Sequence, residues 1–282
     1  MITIQEYIER NLRTIQNFSQ QSYSWEQYRN IPNGRMPAEF RTLLQEDAIP
    51  EPLHRDWVIQ QFNDRNTYYQ GFVAAMLWGG INATRPAQTG RYDTTNFYKA
   101  LSKPRVEVTE NIEQTRRLIA SNKIHEVYNG YLSGHLRIPG VGESFFTKLL
   151  FFAGMNTDNP VKPLIYDKWT KIMHVWILLG NRESTKLSDF FSNSTVYKNV
   201  VENDPPNLMP TRPGQQADSY QDYILLMNQL ANHYGLEPSN LEAYLFGKPM
   251  KNTINRDPLN NPRPFMVEQI RKGWQEQGLP RY

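Results

Sequence analysis

The chain has 282 residues, 39% of them hydrophobic and 12% aromatic, with a formal net charge of +3. That length buries a sizeable core as one large domain or two closely packed ones, and the composition excludes a disordered chain. The absence of cysteine excludes disulfides, thiolate zinc sites, iron–sulfur clusters and cysteine nucleophiles, and the five histidines are too scattered to suggest a catalytic metal.

The first residues carry acidic side chains and no apolar core, so no export signal is expected and a cytoplasmic location is. Residues 3–18 place Ile4, Tyr7, Ile8, Leu12 and Ile15 near the i, i+3, i+4 spacing of an amphipathic helix. A loop rich in Pro and Gly covers 30–37, and 53–62 reads as a second helix. Residues 67–78 are strongly apolar, which predicts a central buried helix stopped by Gly79 and Gly80. A polar loop follows over 82–93. Helices are predicted at 96–101, 111–121 and 124–132, then at 143–153 and 167–179, the last closed by Gly180.

Prolines 205, 206, 210 and 213 make 203–216 a loop, after which 219–234 and 239–246 return to helical patterns. From about 248 to 282 the chain is a basic, Pro-rich tail with room for one short helix near 266–275. Between 245 and 282 seven Lys/Arg face three Asp/Glu. That excess suits a polyanion, although a solvated, partly flexible tail reads the same way. No strand pattern, internal repeat or run near the ~18 apolar residues of a membrane span occurs. The expected fold is all-α, a single unit across 1–282.

One short motif points to chemistry. In Ile138-Pro139-Gly140-Val141-Gly142 two glycines permit a tight turn between helices and leave no Cβ in the way of an approaching backbone. The next helix starts at Glu143 or Ser144, so its first N–H groups and positive dipole end make a phosphate site. Val141 is expected to plug the gap between the two helices, with the amides of Gly140 and Gly142 on a phosphate. An αα-hairpin that binds nothing would use the same residues. In the following helix Ser144, Thr147 and Lys148 fall on one narrow polar stripe. Asp167 opens the helix after a Pro-containing loop, between Tyr166 and Trp169. A capping task alone, or a partly buried carboxylate with a chemical task as well, fits that position.

These residues together resemble the DNA glycosylase superfamily with a helix–hairpin–helix. Gly142 to Ala153, then Pro163-Leu164-Ile165-Tyr166-Asp167, is similar to bacterial proteins with an 8-oxoguanine DNA glycosylase fold. Ala74 to Gly80, with Arg85 and Arg91 beyond, carries the same resemblance, which spans about 67–180. It implies an all-α helix–hairpin–helix bundle that flips a modified base out of double-stranded DNA and cleaves its N-glycosidic bond, in repair or in defence against modified foreign DNA.

By the same resemblance Asp167 is the essential carboxylate, and Gly140, Val141, Gly142, Ser144, Arg85 and Arg91 contact DNA. Trp78 and Tyr166 are candidate walls of the base pocket, and Asn82 and Gln88 are candidate fillers of the gap left by the base. No redox cofactor or catalytic metal is implied, only a structural monovalent cation on the hairpin carbonyls; a monomer is expected. Members that also cleave the strand carry a lysine two residues after the second glycine. Here that position is Ser144, and Lys148, one turn on, is the candidate nucleophile; the other reading of Lys148 is a solvated side chain covering apolar surface. The alternative function is a hairpin module that binds DNA without chemistry.

Overall fold

The computed structural model describes residues 1–18, 22–29, 31, 36–46, 48–83, 95–181, 214–247 and 262–276. Among them are twelve α-helices and no strand, the only bridge being Tyr23 with Leu53. The chain divides into two compact units, residues 21–165 and residues 1–20 with 166–282.

The 21–165 unit contains α2 (Ala38–Gln45), α3 (Arg55–Gln60), α4 (Tyr68–Trp78), α5 (Asn96–Leu101), α6 (Arg105–Ala120), α7 (Ile124–Leu132) and α8 (Glu143–Gly154). Every residue of α4 from Phe72 to Leu77 is buried, so this helix forms the centre, packed by α3, α6 and α8. It stops as expected at its glycines. Gly80 takes φ +68°, its N–H donating to the Leu77 carbonyl and that of Ile81 to Met76. These two bonds are a Schellman motif. Gly79 remains helical.

Several places differ from the sequence reading, Gly180 among them: it lies inside the helix Lys168–Gly180, whose C-cap is Asn181. Helix α6 begins at Arg105, six residues before the expected start, because Pro104 sits at its N-cap and Glu107 complements the dipole in its first turn. Helix α2 has no counterpart in the sequence reading; its eight residues are too few to show a period, and Pro37 at its N-cap resembles loop punctuation.

The other unit contains α1 (Ile4–Gln16), α9 (Lys168–Gly180), α10 (Gln216–His233), α11 (Pro238–Phe246) and α12 (Pro262–Glu276). Helix α9 is buried from Thr170 to Leu179, with α12 along it and α1 and α11 against it. Thr3 and Glu6 form a capping box on α1, whose buried face is Ile4, Tyr7, Ile8, Asn11 and Ile15. Asn11 takes the inward place expected of Leu12, its amide donating to the Tyr7 carbonyl at 2.8 Å. Helix α12 extends the expected tail helix toward its N-terminus; Pro262 and Pro264 fit its first turn, where missing N–H groups cost nothing.

Candidate active site

In the 21–165 unit the hairpin joins α7 to α8. The Val141 N–H donates to the Ile138 carbonyl at 3.1 Å, and Val141 is buried. The two glycines have unlike surroundings. Gly140 has φ +76°, and a Cβ there would lie 2.3 Å from the Asn96 carbonyl oxygen at the start of α5. Its bare face is thus filled by the protein's own backbone. Gly142 is the extended N-cap of α8, and among the described residues nothing lies within 4 Å of where its Cβ would be. The N-cap supplies no side-chain bond, so among the described residues open approach to a helix N-terminus lies at Gly142. Glu143 in that first turn has its carboxylate hydrogen-bonded by the Tyr128 hydroxyl.

Of the stripe of Ser144, Thr147 and Lys148, the last two are turned away from water and Ser144 is half-buried. Thr147 is fully buried with its hydroxyl on the Glu143 carbonyl, and Lys148 is only 6% exposed. The solvated reading of Lys148 is therefore wrong. Its side chain runs back toward the N-terminus of α8, the direction helical side chains favour. Its Nζ donates to the Ser144 carbonyl at 2.8 Å and contacts Ser144 Oγ at 2.9 Å, 5.3 Å from the centroid of the Phe145 ring. Gly79 makes this path possible, since a Cβ there would come 2.9 Å from Lys148 Cδ. Trp78 beside it is half-buried, edge-on to Phe152 at 5.2 Å, and its buried indole N–H has no hydrogen-bond partner among the described residues.

In the other unit Asp167 is the N-cap of α9. Its Oδ1 accepts the N–H groups of Trp169 (2.9 Å) and Thr170 (3.3 Å), and its own N–H donates to Thr170 Oγ1 at 2.7 Å. Both of these capping bonds fall on one oxygen of a half-buried carboxylate. Arg263 of α12 is buried between the rings of Trp169 (4.5 Å) and Phe246 (4.2 Å), with Nε donating to the Phe246 carbonyl. Burial lowers its pKa to about 10, partly opposed by the Asp167 carboxylate nearby, and it stays cationic at neutral pH. Burial likewise lowers the pKa of Lys168.

Residues 16–246 match the family model described as "Putative 8-oxoguanine DNA glycosylase OGG-like protein". The chain belongs to this family. No curated protein and no solved structure matches it.

For the OGG-like family member, the match contains both the hairpin and Asp167, and the all-α fold agrees with it. Arg85, Arg91 and Gln88 lie outside the described residues; Asn82 is exposed, its carbonyl accepting the Phe97 N–H. Tyr166 has no exposed surface. It packs against Tyr220 and Tyr223, with its hydroxyl 3.1 Å from His174 Nδ1. Sequence reasoning missed the polar groups of the unit that contains Asp167: His174 with Asp222, the buried Glu242, and Arg263 near Asp167. The Tyr223 hydroxyl donates to the buried Glu242 at 3.1 Å, and burial first, then the charges of Glu242 and Asp167, push its pKa well up. His174 lay hidden in an apolar run and Arg263 in a Pro-rich tail. The one available signal was the seven-residue step from Asp167 to His174, which returns a helix to the same face.

Proposed function

We propose that the protein is a DNA N-glycosylase that takes a modified base out of double-stranded DNA, cleaves its glycosidic bond, and acts as a monomer. The OGG-like family match over 16–246 carries this reading. The hairpin holds the DNA backbone through the open N-terminus of α8 at Gly142, with Ser144 in its first turn. Val141 supports the turn from within, and the Gly140 amide, Arg85 and Arg91 add backbone contacts. Trp78 lines the base pocket, and Tyr166 backs the carboxylate from the core. The resemblance also implies a monovalent cation on the hairpin carbonyls. The Ile138 carbonyl keeps a second lone pair beside its bond to Val141, and no chemical step depends on the ion.

Departure of the base leaves positive charge on the sugar, and the Asp167 carboxylate stabilises it. Lys148 is the nucleophile. Its neutral amine bonds to C1′ as the C1′–N bond breaks, and the base leaves with that electron pair and gains a proton. The bound nitrogen loses a proton, and its lone pair then expels the ring oxygen, which takes up a proton, to give a protonated Schiff base. Lys148 is buried, and Ser144 Oγ lies 2.9 Å from its nitrogen.

An excision screen over duplexes carrying 8-oxoguanine, uracil, alkylated bases and glucosylated cytosines, with Asp167→Asn beside the wild type, tests the reading. Asn preserves the cap. Excision is expected to fall at least ~100-fold. Unchanged excision by the variant, or no excision of any base by the wild type, would leave a DNA-binding module. The base that is cut separates repair from defence. Borohydride should trap a covalent adduct with wild type and none with Lys148→Gln; no adduct with wild type would mean direct hydrolysis.

A further inference from the structure

The chain enters α9 through Tyr166, the residue before the N-cap Asp167. Its ring is held on the helix twice. Lys171, four residues into α9 and 6% exposed, holds its Nζ 5.2 Å from the ring centroid. His174, fully buried one turn further on, lies 3.1 Å from the hydroxyl through Nδ1, while its Nε2 stands 3.1 Å from Asp222 Oδ2 of α10. An ionised Asp222 can only accept, so Nε2 carries a proton, and in the neutral ring Nδ1 accepts the Tyr166 O–H.

Residues before the cap and four into the helix are those that an apolar staple uses to fix how a chain enters. Here that contact is a cation on a ring, and a hydrogen bond adds a direction that apolar contact lacks. On the far side of Asp167 the capping box ties its N–H and Oδ1 to Thr170 and Trp169. The backbone is thus fixed to α9 on both sides of the carboxylate. An apolar pair would close this core without the desolvation cost of three polar groups.

Resting on the reading of Asp167 as the essential carboxylate, we propose that Tyr166, oriented by the His174–Asp222 pair, is a positioning residue that aims Asp167 at the sugar. Two substitutions at 174 take the pair apart. Asn reaches the place of Nδ1 and keeps an acceptor for Tyr166 without reaching Asp222. Gln reaches the place of Nε2 and keeps Asp222 while releasing Tyr166.

Single-turnover excision and DNA affinity are measured for Tyr166→Phe, His174→Gln, His174→Asn and Tyr166→Phe/His174→Gln. Tyr166→Phe and His174→Gln should lower the rate constant about tenfold or more with Kd unchanged. The double variant should be no slower than the worse single one, and His174→Asn should stay close to wild type. A merely structural role would lower Tm in all of them and leave the rate constant alone. Rates of Tyr166→Phe and His174→Gln within about twofold of wild type, or equal losses for Asn and Gln at 174, would overturn the proposal. Asp167→Asn in the same series separates the two readings. If it is inactive while Tyr166→Phe runs at the wild-type rate, only the positioning role falls; if it excises normally, or the wild type excises nothing, the role of Asp167 falls and takes this one with it.

Discussion

Replacing Gly79 by Ala should disarm the amine of Lys148 without unfolding the protein. The backbone at Gly79 (φ −72°, ψ −10°) accepts any residue. The added methyl, however, would stand 2.9 Å from Lys148 Cδ and 3.1 Å from the Phe145 ring. Carbon atoms rest at ~3.5–4.0 Å, so the lysine stem must withdraw by about 0.6–1.1 Å. Cδ lies mid-chain, and its retreat draws Nζ off the Ser144 carbonyl and hydroxyl, now at 2.8 and 2.9 Å. Overpacking of this kind costs ~1–3 kcal/mol, offset by ~0.4–1 kcal/mol from the stiffer unfolded chain, which leaves a loss of about 1 kcal/mol. A displacement near 1 Å at a reacting nitrogen costs up to ~100-fold in rate.

The assay is the rate of borohydride-trapped adduct under single-turnover conditions, with urea melts alongside. Gly80→Ala is the control. It forces a Cβ into φ +68° and should cost ~1–2 kcal/mol of stability while leaving trapping intact. A folded Gly79→Ala protein that traps DNA at the wild-type rate would refute the argument that Gly79 sets the path of Lys148.

The two hairpin glycines should also part company. Gly140→Ala meets both a positive φ and the Asn96 carbonyl and should lower stability by ~3 kcal/mol or more in a urea melt, whereas Gly142→Ala, at an N-cap where alanine is the poorer residue, should cost only ~1 kcal/mol and weaken DNA binding. Arg263→Met should lose about 2 kcal/mol by thermal melt, since a thioether keeps apolar contact but neither cation–π contact nor the bond to the Phe246 carbonyl; Arg263→Lys should not restore it, because an ammonium cannot stack flat between two rings. Alkali should destabilise the fold from about pH 10. Burial raises the pKa of Tyr69 to about 12, and those of Tyr28 and Tyr131 also rise. The unfolded chain then loses these protons first, so stability present below about pH 10 is lost as pH rises toward the folded values. A urea midpoint that is flat from about pH 9 to 11 would contradict this.

The helices at 96–101 and 124–132 stand at the ends read from sequence; the Thr95 side chain caps the first by accepting the Tyr98 N–H. Asp167 was legible for the same reason, since a cap residue before an apolar run is a local signal. The surroundings of Asp167 were not. Arg263 stands 96 positions away, and nothing local says that two rings hold it. His174 reads as one polar letter in an apolar helix until Asp222 of α10 is placed beside it. Gly79 was legible only as a stop signal; the lysine stem that crosses it belongs to another helix.

The route of Lys148 bears on how relatives are compared. A nitrogen reaches Ser144 from four positions later in the chain, because a long side chain on a helix lies over the preceding turn. An aligned column at 144 records a serine alone, although the Lys148 amine lies within 3 Å of that residue. A comparison by letters in that column therefore leaves out an amine that the next turn of the helix brings to it.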